Sequence, residues 1–182
     1  MKCIPTEIPD VVLIELDMFE DERGFFMETY NTAKFAKFGI STDFVQDNHS
    51  YSKKGVLRGM HYQITQSQGK LIEVISGDIF DVVIDIRKQS PTFGKWIGIP
   101  LSSKDKSIIW IPIGFAHGFY VLSEYAEIKY KVTDFYSAEA ERTLLWNDRD
   151  LDIKWPLADN QQPILSPKDA AGKPFSEIDV FE

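Results

Sequence analysis

Ile111-Pro112-Ile113-Gly114-Phe115-Ala116-His117-Gly118-Phe119-Tyr120 is the stretch on which the fold turns. Pro112 and Gly114 mark a turn between two short runs rich in β-branched and aromatic residues, 108–112 and 115–123, and both read as strands. Runs of the same character lie on either side: 11–16, 25–30, 44–48, 55–63, 71–76, 79–87, 96–101, 127–136 and 143–146. Gly77-Asp78 is expected to make a tight hairpin turn, and Ser90-Pro91-Thr92 another corner. About ten strands spaced roughly 8–12 residues apart point to an all-β sandwich or barrel, of which the double-sheet jelly roll is one kind. One short helix is expected over 32–38, capped by Asn31, carrying Phe35 and Phe38 one turn apart and ended by Gly39. After Trp155-Pro156 the pattern fades into a polar, proline-containing stretch that runs to Glu182. Residues 1–182 are therefore expected to form one domain, with the part after about 156 an irregular tail folding back on the barrel.

Composition agrees with a single core. The chain has 182 residues, 43% hydrophobic and 13% aromatic, enough material for one sizeable interior. Lys and Arg number 20 against 28 Asp and Glu, a net charge of −8 that argues against nucleic acid or an anionic membrane as partner. An anionic ligand has to be held by a few local cations. The longest apolar run, 108–122, is interrupted by Pro112, Gly114, His117 and Gly118 and falls short of a membrane span. Lys2 and Glu7 bracket a stretch too short and polar for a secretory leader. Cys3 is the only cysteine, so no intramolecular disulfide or cysteine metal cluster is expected. The expectation is a soluble cytoplasmic globule. Thirteen phenylalanines exceed what one small barrel needs inside, so some are expected on an intersubunit surface, in a homodimer.

The candidate chemistry gathers on four strands. In Gly55-Val56-Leu57-Arg58-Gly59-Met60-His61-Tyr62-Gln63, strict alternation puts Arg58 and His61 on opposite faces. Both point inward only if the strand bulges, and Gly59 is where a bulge is tolerated. Taken alone, His61 reads equally well as a satisfied core histidine. Lys70 shares a face with Ile72 and Val74, which is unusual for a lysine without a partner or a task. Tyr130 lies with Ile128 and Val132 on the face opposite Glu127, Lys129 and Lys131. An inward set of His61, Lys70, His117 and Tyr130 offers a base, a cation and a phenolic acid around one cavity, the parts needed to remove a proton beside a carbonyl. Arg23 and Glu28 flank another short strand, and Gln46-Asp47-Asn48 supplies neutral hydrogen-bonding groups suited to sugar hydroxyls or a carbonyl.

The string Pro112-Ile113-Gly114-Phe115-Ala116-His117 resembles the second half of the cupin pattern, found in a superfamily of small jelly rolls. In metal-binding cupins the first half runs Gly, spacer, His-x-His and then Glu. Here His61 is followed at the second position by Gln63, and Ser67 and Gln68 stand near where the Glu should fall. With two of four ligands missing, no metal or other cofactor is expected. An ordered set of motifs narrows the likeness further: Asp21-Glu22-Arg23-Gly24-Phe25, Gln46-Asp47-Asn48-His49-Ser50, the strand 55–63, Gly69-Lys70-Leu71, Ser90-Pro91-Thr92, 112–119, Tyr130-Lys131 and Trp146-Asn147-Asp148. Together they resemble the dTDP-4-dehydrorhamnose 3,5-epimerases, metal-independent dimeric cupin-fold enzymes of nucleotide-sugar biosynthesis.

That resemblance implies an all-β cupin-type double-sheet jelly roll with short peripheral helices and a C-terminal extension. It implies inversion of C3 and C5 of dTDP-4-dehydro-6-deoxy-D-glucose. His61 would be the base, Tyr130 the acid on the opposite face, Asp169 the carboxylate behind His61, and Lys70 the cation at the enolate oxygen. Arg58 and His117 would surround the sugar and diphosphate. Arg23, Phe26 and Glu28 would reach the nucleotide from a strand exchanged with the second subunit. Tyr136 would stack on thymine, with Gln46, Asn48, Glu141 and Lys168 completing the pocket. Relatives on the same framework that epimerise one carbon, or isomerise the keto group between C3 and C4, are the alternatives, followed by a sugar-binding or metal-dependent cupin.

Overall fold

The structure, a computed structural model, describes residues 1–158 and 161–182. Its strands are β1 (Lys2–Pro5), β2 (Val12–Glu15), β3 (Met18–Asp21), β4 (Gly24–Met27), β5 (Gln46–Lys53), β6 (Leu57–Gln63), β7 (Lys70–Ser76), β8 (Asp78–Asp85), β9 (Trp96–Ser102), β10 (Ser107–Ile111), β11 (Phe115–Val121), β12 (Tyr125–Val132) and β13 (Glu141–Thr143). Two short helices, α1 (Thr32–Ala36) and α2 (Pro167–Ala170), and one 3-10 turn (Phe175–Glu177) lie outside them. A six-stranded sheet ordered β1-β2-β10-β7-β12-β5 faces a five-stranded sheet ordered β13-β6-β11-β8-β9, and β3-β4 forms a separate hairpin. This is the double-sheet jelly roll.

Alternation explains the layering. Ile72, Val74, Ile109, Ile111 and Ile128 from the six-stranded sheet meet Ile79, Val83, Ile97, Phe115, Phe119 and Val121 from the five-stranded one in a common core. The intervening positions of β8, Val82 and Ile84, point out of the sandwich and are covered by Leu151, Ile153, Phe175, Ile178 and Phe181. Both faces of β8 are thus buried, which is why Ile79, Phe80, Val82, Val83 and Ile84 do not alternate with polar residues along it, the inward Asp81 excepted. The segment after residue 156 returns to the barrel through single parallel bridges, Val56 with Ile164, Leu144 with Lys173 and Arg87 with Phe181. Helix α1 buries Phe35 completely against Ile14, Leu16, Leu71 and Ile108 on the outside of the six-stranded sheet.

The Gly77-Asp78 hairpin is not formed. Strands β7 and β8 belong to different sheets, and the chain turns a corner between them. Both strands carry core residues that must face each other across the sandwich, which a hairpin within one sheet cannot arrange. Gly77 makes the corner at φ +83°, and a Cβ there would lie 2.1 Å from the carbonyl oxygen of Tyr125. The helix ends at Ala36, short of Phe38; Asn31 caps it by accepting from the Lys34 N–H at 3.2 Å. The run 127–136 leaves the sheet after Val132, where the Thr133 hydroxyl accepts from the Gly69 N–H at 2.8 Å. Strands β1 and β3 are additions to the expected set, and β13 lies a little ahead of the run 143–146.

Candidate active site

The strand pair β6–β11 sets the site. His117 is directly opposite His61 and Phe119 opposite Arg58, so Gly59 and Met60 together face Gly118 alone. That two-against-one count is a β-bulge, and it turns both Arg58 and His61 toward one cavity. Gly59 sits at φ +126°, and a Cβ on it would approach the Gly118 Cα to 2.6 Å and the His117 carbonyl oxygen to 2.8 Å. Only glycine fits.

The cavity, of about 290 Å³, lies between the sheets. The five-stranded sheet contributes Arg58, His61, Gln63, His117, Phe119 and Glu141; the six-stranded sheet contributes Ser50, Lys70, Ile72, Ile128 and Tyr130. The His61 imidazole and the Tyr130 phenol thus come from opposite walls. Its size is close to the lower end of ligand clefts, roughly 300–1,000 Å³, so it admits a sugar ring but leaves an attached nucleotide at the rim.

His61 Nε2 lies 2.5 Å from Asp169 Oδ1. Asp169 is itself buried on α2, where the Ser166 hydroxyl donates to its other oxygen at 2.7 Å. Burial pushes the Asp169 carboxyl up, but its hydrogen bonds with His61 and Ser166 outweigh that and leave it below the ordinary carboxylate range. The carboxylate keeps the N–H on Nε2, so the proton-accepting lone pair is on Nδ1. Burial, helped by the charges of Lys168 and Lys70, holds the His61 pKa below its ordinary value against the pull of Asp169. The ring is neutral at neutral pH.

Lys70 is buried and donates to the His61 carbonyl oxygen at 3.1 Å. Burial brings its ammonium down to about 8, with Asp81 and Glu141 pulling the other way. Neither Lys70 nor Arg58 forms an ion pair among the described residues, so both charges are available to an anion. Arg58 is instead braced by Ser52 Oγ at 2.9 Å. Burial raises the Tyr130 phenol, keeping it protonated. His117 Nε2 lies 2.7 Å from Asp81 Oδ2, giving a second imidazole–carboxylate pair beside the first. Glu141 accepts from Lys168 at 2.8 Å and from the Tyr136 hydroxyl at 3.1 Å at the cavity rim.

Of the residues expected in the site, His61, Lys70, Arg58, His117, Tyr130, Tyr136, Glu141 and Lys168 line this one cavity, with Asp169 directly behind His61. Gln46 and Asn48 line no wall of it. They are bonded to each other at 2.8 Å, and Gln46 accepts from the Tyr136 N–H at 3.1 Å. Arg23 and Phe26 lie on the β3–β4 hairpin and Glu28 just beyond it, where it pairs with Lys34; within one chain none of the three reaches the cavity. Gln63 and Gln68, which the sequence marks only as replacing metal ligands, also line the cavity, and Asp81, to which the sequence reading gives no role, stands behind His117. Asp81 could have been found by alternation, since it shares an inward face with Ile79 and Val83. Among the described residues no three His, Cys, Asp or Glu side chains converge as metal ligands.

Residues 5–177 match the family model described as dTDP-4-dehydrorhamnose 3,5-epimerase. The chain is 55% identical over 182 residues to the dTDP-4-dehydrorhamnose 3,5-epimerase of Pseudomonas aeruginosa, covering 100% of this chain and 99% of that protein. It is 54% identical to the enzyme of the same name from Shigella flexneri, covering 100% of this chain and 99% of that protein. Among solved structures, the dTDP-6-deoxy-D-glucose-3,5-epimerase of Legionella pneumophila Philadelphia 1, in complex with dTDP-4-keto-L-rhamnose, superposes with a TM-score of 0.94 at 51% identity, over 98% of this chain and 94% of that one. With a jelly roll of the same form and its imidazole and phenol set on facing walls, this chain belongs to the dTDP-4-dehydrorhamnose 3,5-epimerase family.

Proposed function

We propose that the chain is an isomerase that converts dTDP-4-dehydro-6-deoxy-D-glucose to dTDP-4-dehydro-L-rhamnose, in dTDP-rhamnose biosynthesis, by inverting C3 and C5. The observation that carries the mechanism is the placement of His61 and Tyr130 on opposite sheets of one cavity with Lys70 buried in its wall. His61 takes the proton from the carbon beside the C4 ketone. The C–H electron pair passes into a C=C bond as the carbonyl oxygen becomes an enolate, and the Lys70 ammonium meets that charge in a largely dry site. Tyr130 then gives its hydroxyl proton to the carbon from the other face. The proton gained by His61 and the one lost by Tyr130 re-equilibrate with solvent. C3 and C5 flank the same carbonyl, so one enolate-stabilising group serves both steps. Positioned acid–base groups of this kind contribute about 10²–10⁴-fold each.

Arg58 and His117 are assigned to the sugar and diphosphate, with Tyr136, Glu141 and Lys168 at the rim toward the nucleotide. Gln46 and Asn48 are assigned to the same rim. Arg23, Phe26 and Glu28 are assigned to the nucleotide of a neighbouring subunit in a homodimer. The exposed apolar hairpin supports this assembly: Phe19 is 65% and Phe26 71% exposed on strands that join neither main sheet. A cytoplasmic location fits the nucleotide-sugar substrate and the single cysteine. Incubation with dTDP-4-dehydro-6-deoxy-D-glucose in D₂O, followed by NMR, tests the reaction. Deuterium at both C3 and C5 of an inverted product is expected; label at neither carbon refutes the proposal.

A further inference from the structure

Tyr136 stands at the cavity rim on a loop that side-chain packing does not hold, since Phe135 is 58% and Tyr136 54% exposed. What holds that loop is a pair of side-chain amides from opposite sheets. Gln63, on β6, is 4% exposed and spends its amide on main-chain atoms alone. Its nitrogen donates to the carbonyl oxygens of Gln66 at 2.6 Å and Phe135 at 3.1 Å, and its oxygen accepts from the Ser137 N–H at 2.8 Å. The amide orientation is fixed by this pattern, because the flipped form would set an oxygen against two carbonyls. From β5, Gln46 accepts from the Tyr136 N–H at 3.1 Å. The main chain of residues 135–137 is therefore stapled to both sheets. Gln63 also faces Glu141 in register, the acceptor of the Tyr136 hydroxyl.

We infer that Gln63 is a positioning residue: it fixes the loop 135–137 so that the Tyr136 ring stands ready at the mouth for the nucleotide of the substrate. This rests on the reading of Tyr136 as a nucleotide contact. Gln63 lines the cavity wall, but none of its polar atoms is left for a ligand except one lone pair on its oxygen. Its contribution is to order the loop beforehand, which lowers the entropic cost of binding. The effect belongs in KM more than in kcat.

The test combines steady-state kinetics on dTDP-4-dehydro-6-deoxy-D-glucose with amide hydrogen exchange. Gln63→Met, nearly the same shape without the amide, is expected to raise KM roughly 10- to 100-fold while kcat moves far less. It should also speed exchange at the Ser137 amide. Gln63→Glu keeps an acceptor for that amide but loses the donors to the Gln66 and Phe135 carbonyls, so it is expected to exchange the Ser137 amide faster than wild type, a comparison that still stands if the methionine variant folds poorly. Tyr136→Ala should raise KM by itself, and adding Gln63→Met to it should raise KM no further, because both act through one ring. If Tyr136→Ala raises KM and the Gln63 variants leave KM and Ser137 exchange unchanged, the positioning role is wrong and the reading of Tyr136 survives. Should Tyr136→Ala leave KM unchanged, the reading of Tyr136 fails and takes the positioning role with it. Additive effects in the double variant likewise overturn the inference.

Discussion

His61 is held below its ordinary pKa by burial, with Asp169 pulling against it, and Lys70 is brought down to about 8. The signs give an activity profile. As pH rises, kcat/KM should climb while His61 loses its proton, with an apparent pKa below about 6.5, and fall as Lys70 loses its charge near 8. Tyr130, raised by burial, keeps its proton across that range and adds no limb within it. A pH–rate series on wild type and Lys70→Met checks this: the variant should lose the alkaline limb and fall roughly 10²–10³-fold at its plateau. An alkaline limb unchanged in Lys70→Met contradicts the assignment. Alternation alone brings Lys70 and Tyr130 to an inward face, and Asp81 follows the same rule. Asp169 is different. It lies 108 residues from His61, and no local pattern joins the two; only likeness to a family points to that pair.

Among the elements, the bulge on β6 turns a strand into a site. Without it Arg58 and His61 would face opposite ways, and a glycine between an arginine and a histidine is the visible sign of it. The close approach of Gly59 to Gly118 leaves no room for a methyl group on either. Gly59→Ala should cost about 1–3 kcal/mol from backbone strain and overpacking. It should lower activity at least tenfold beyond what the fraction folded explains, as read by thermal melting and proton exchange on the same preparation. Full activity in a folded Gly59→Ala protein contradicts the role of the bulge. The corner at Gly77 shows where local reading stops. Gly-Asp between two apolar runs signals a turn, but whether the strands pair or part is decided by which core residues must meet across the sandwich. That is a property of the whole core, beyond the reach of a two-residue signal.

For the whole molecule, the exposed β3–β4 hairpin and the net charge of −8 bear on assembly and ligand capture. A lone two-stranded hairpin is marginal in water, and this one presents Met18, Phe19, Phe25 and Phe26 to solvent. A second copy covers that surface in the proposed dimer. Phe19→Ser with Phe26→Ser should shift sedimentation from dimer to monomer and raise KM for the nucleotide sugar; a wild-type chain that sediments as a monomer contradicts it. The excess of phenylalanine in the sequence points to apolar side chains outside the core, and Phe19, Phe25 and Phe26 are exposed; which strands carry them is given only by the sheet order. In the proposed inversion the cavity acts as a unit, since both sheets must bring their groups to one sugar ring. Tyr130→Phe removes a single hydroxyl from one wall and leaves His61 on the other. In D₂O, with dTDP-4-dehydro-6-deoxy-D-glucose, the variant should still exchange the protons beside the ketone but return deuterium largely with the original configuration. Inversion at C3 and C5 at the wild-type rate would show that the phenol is not the acid.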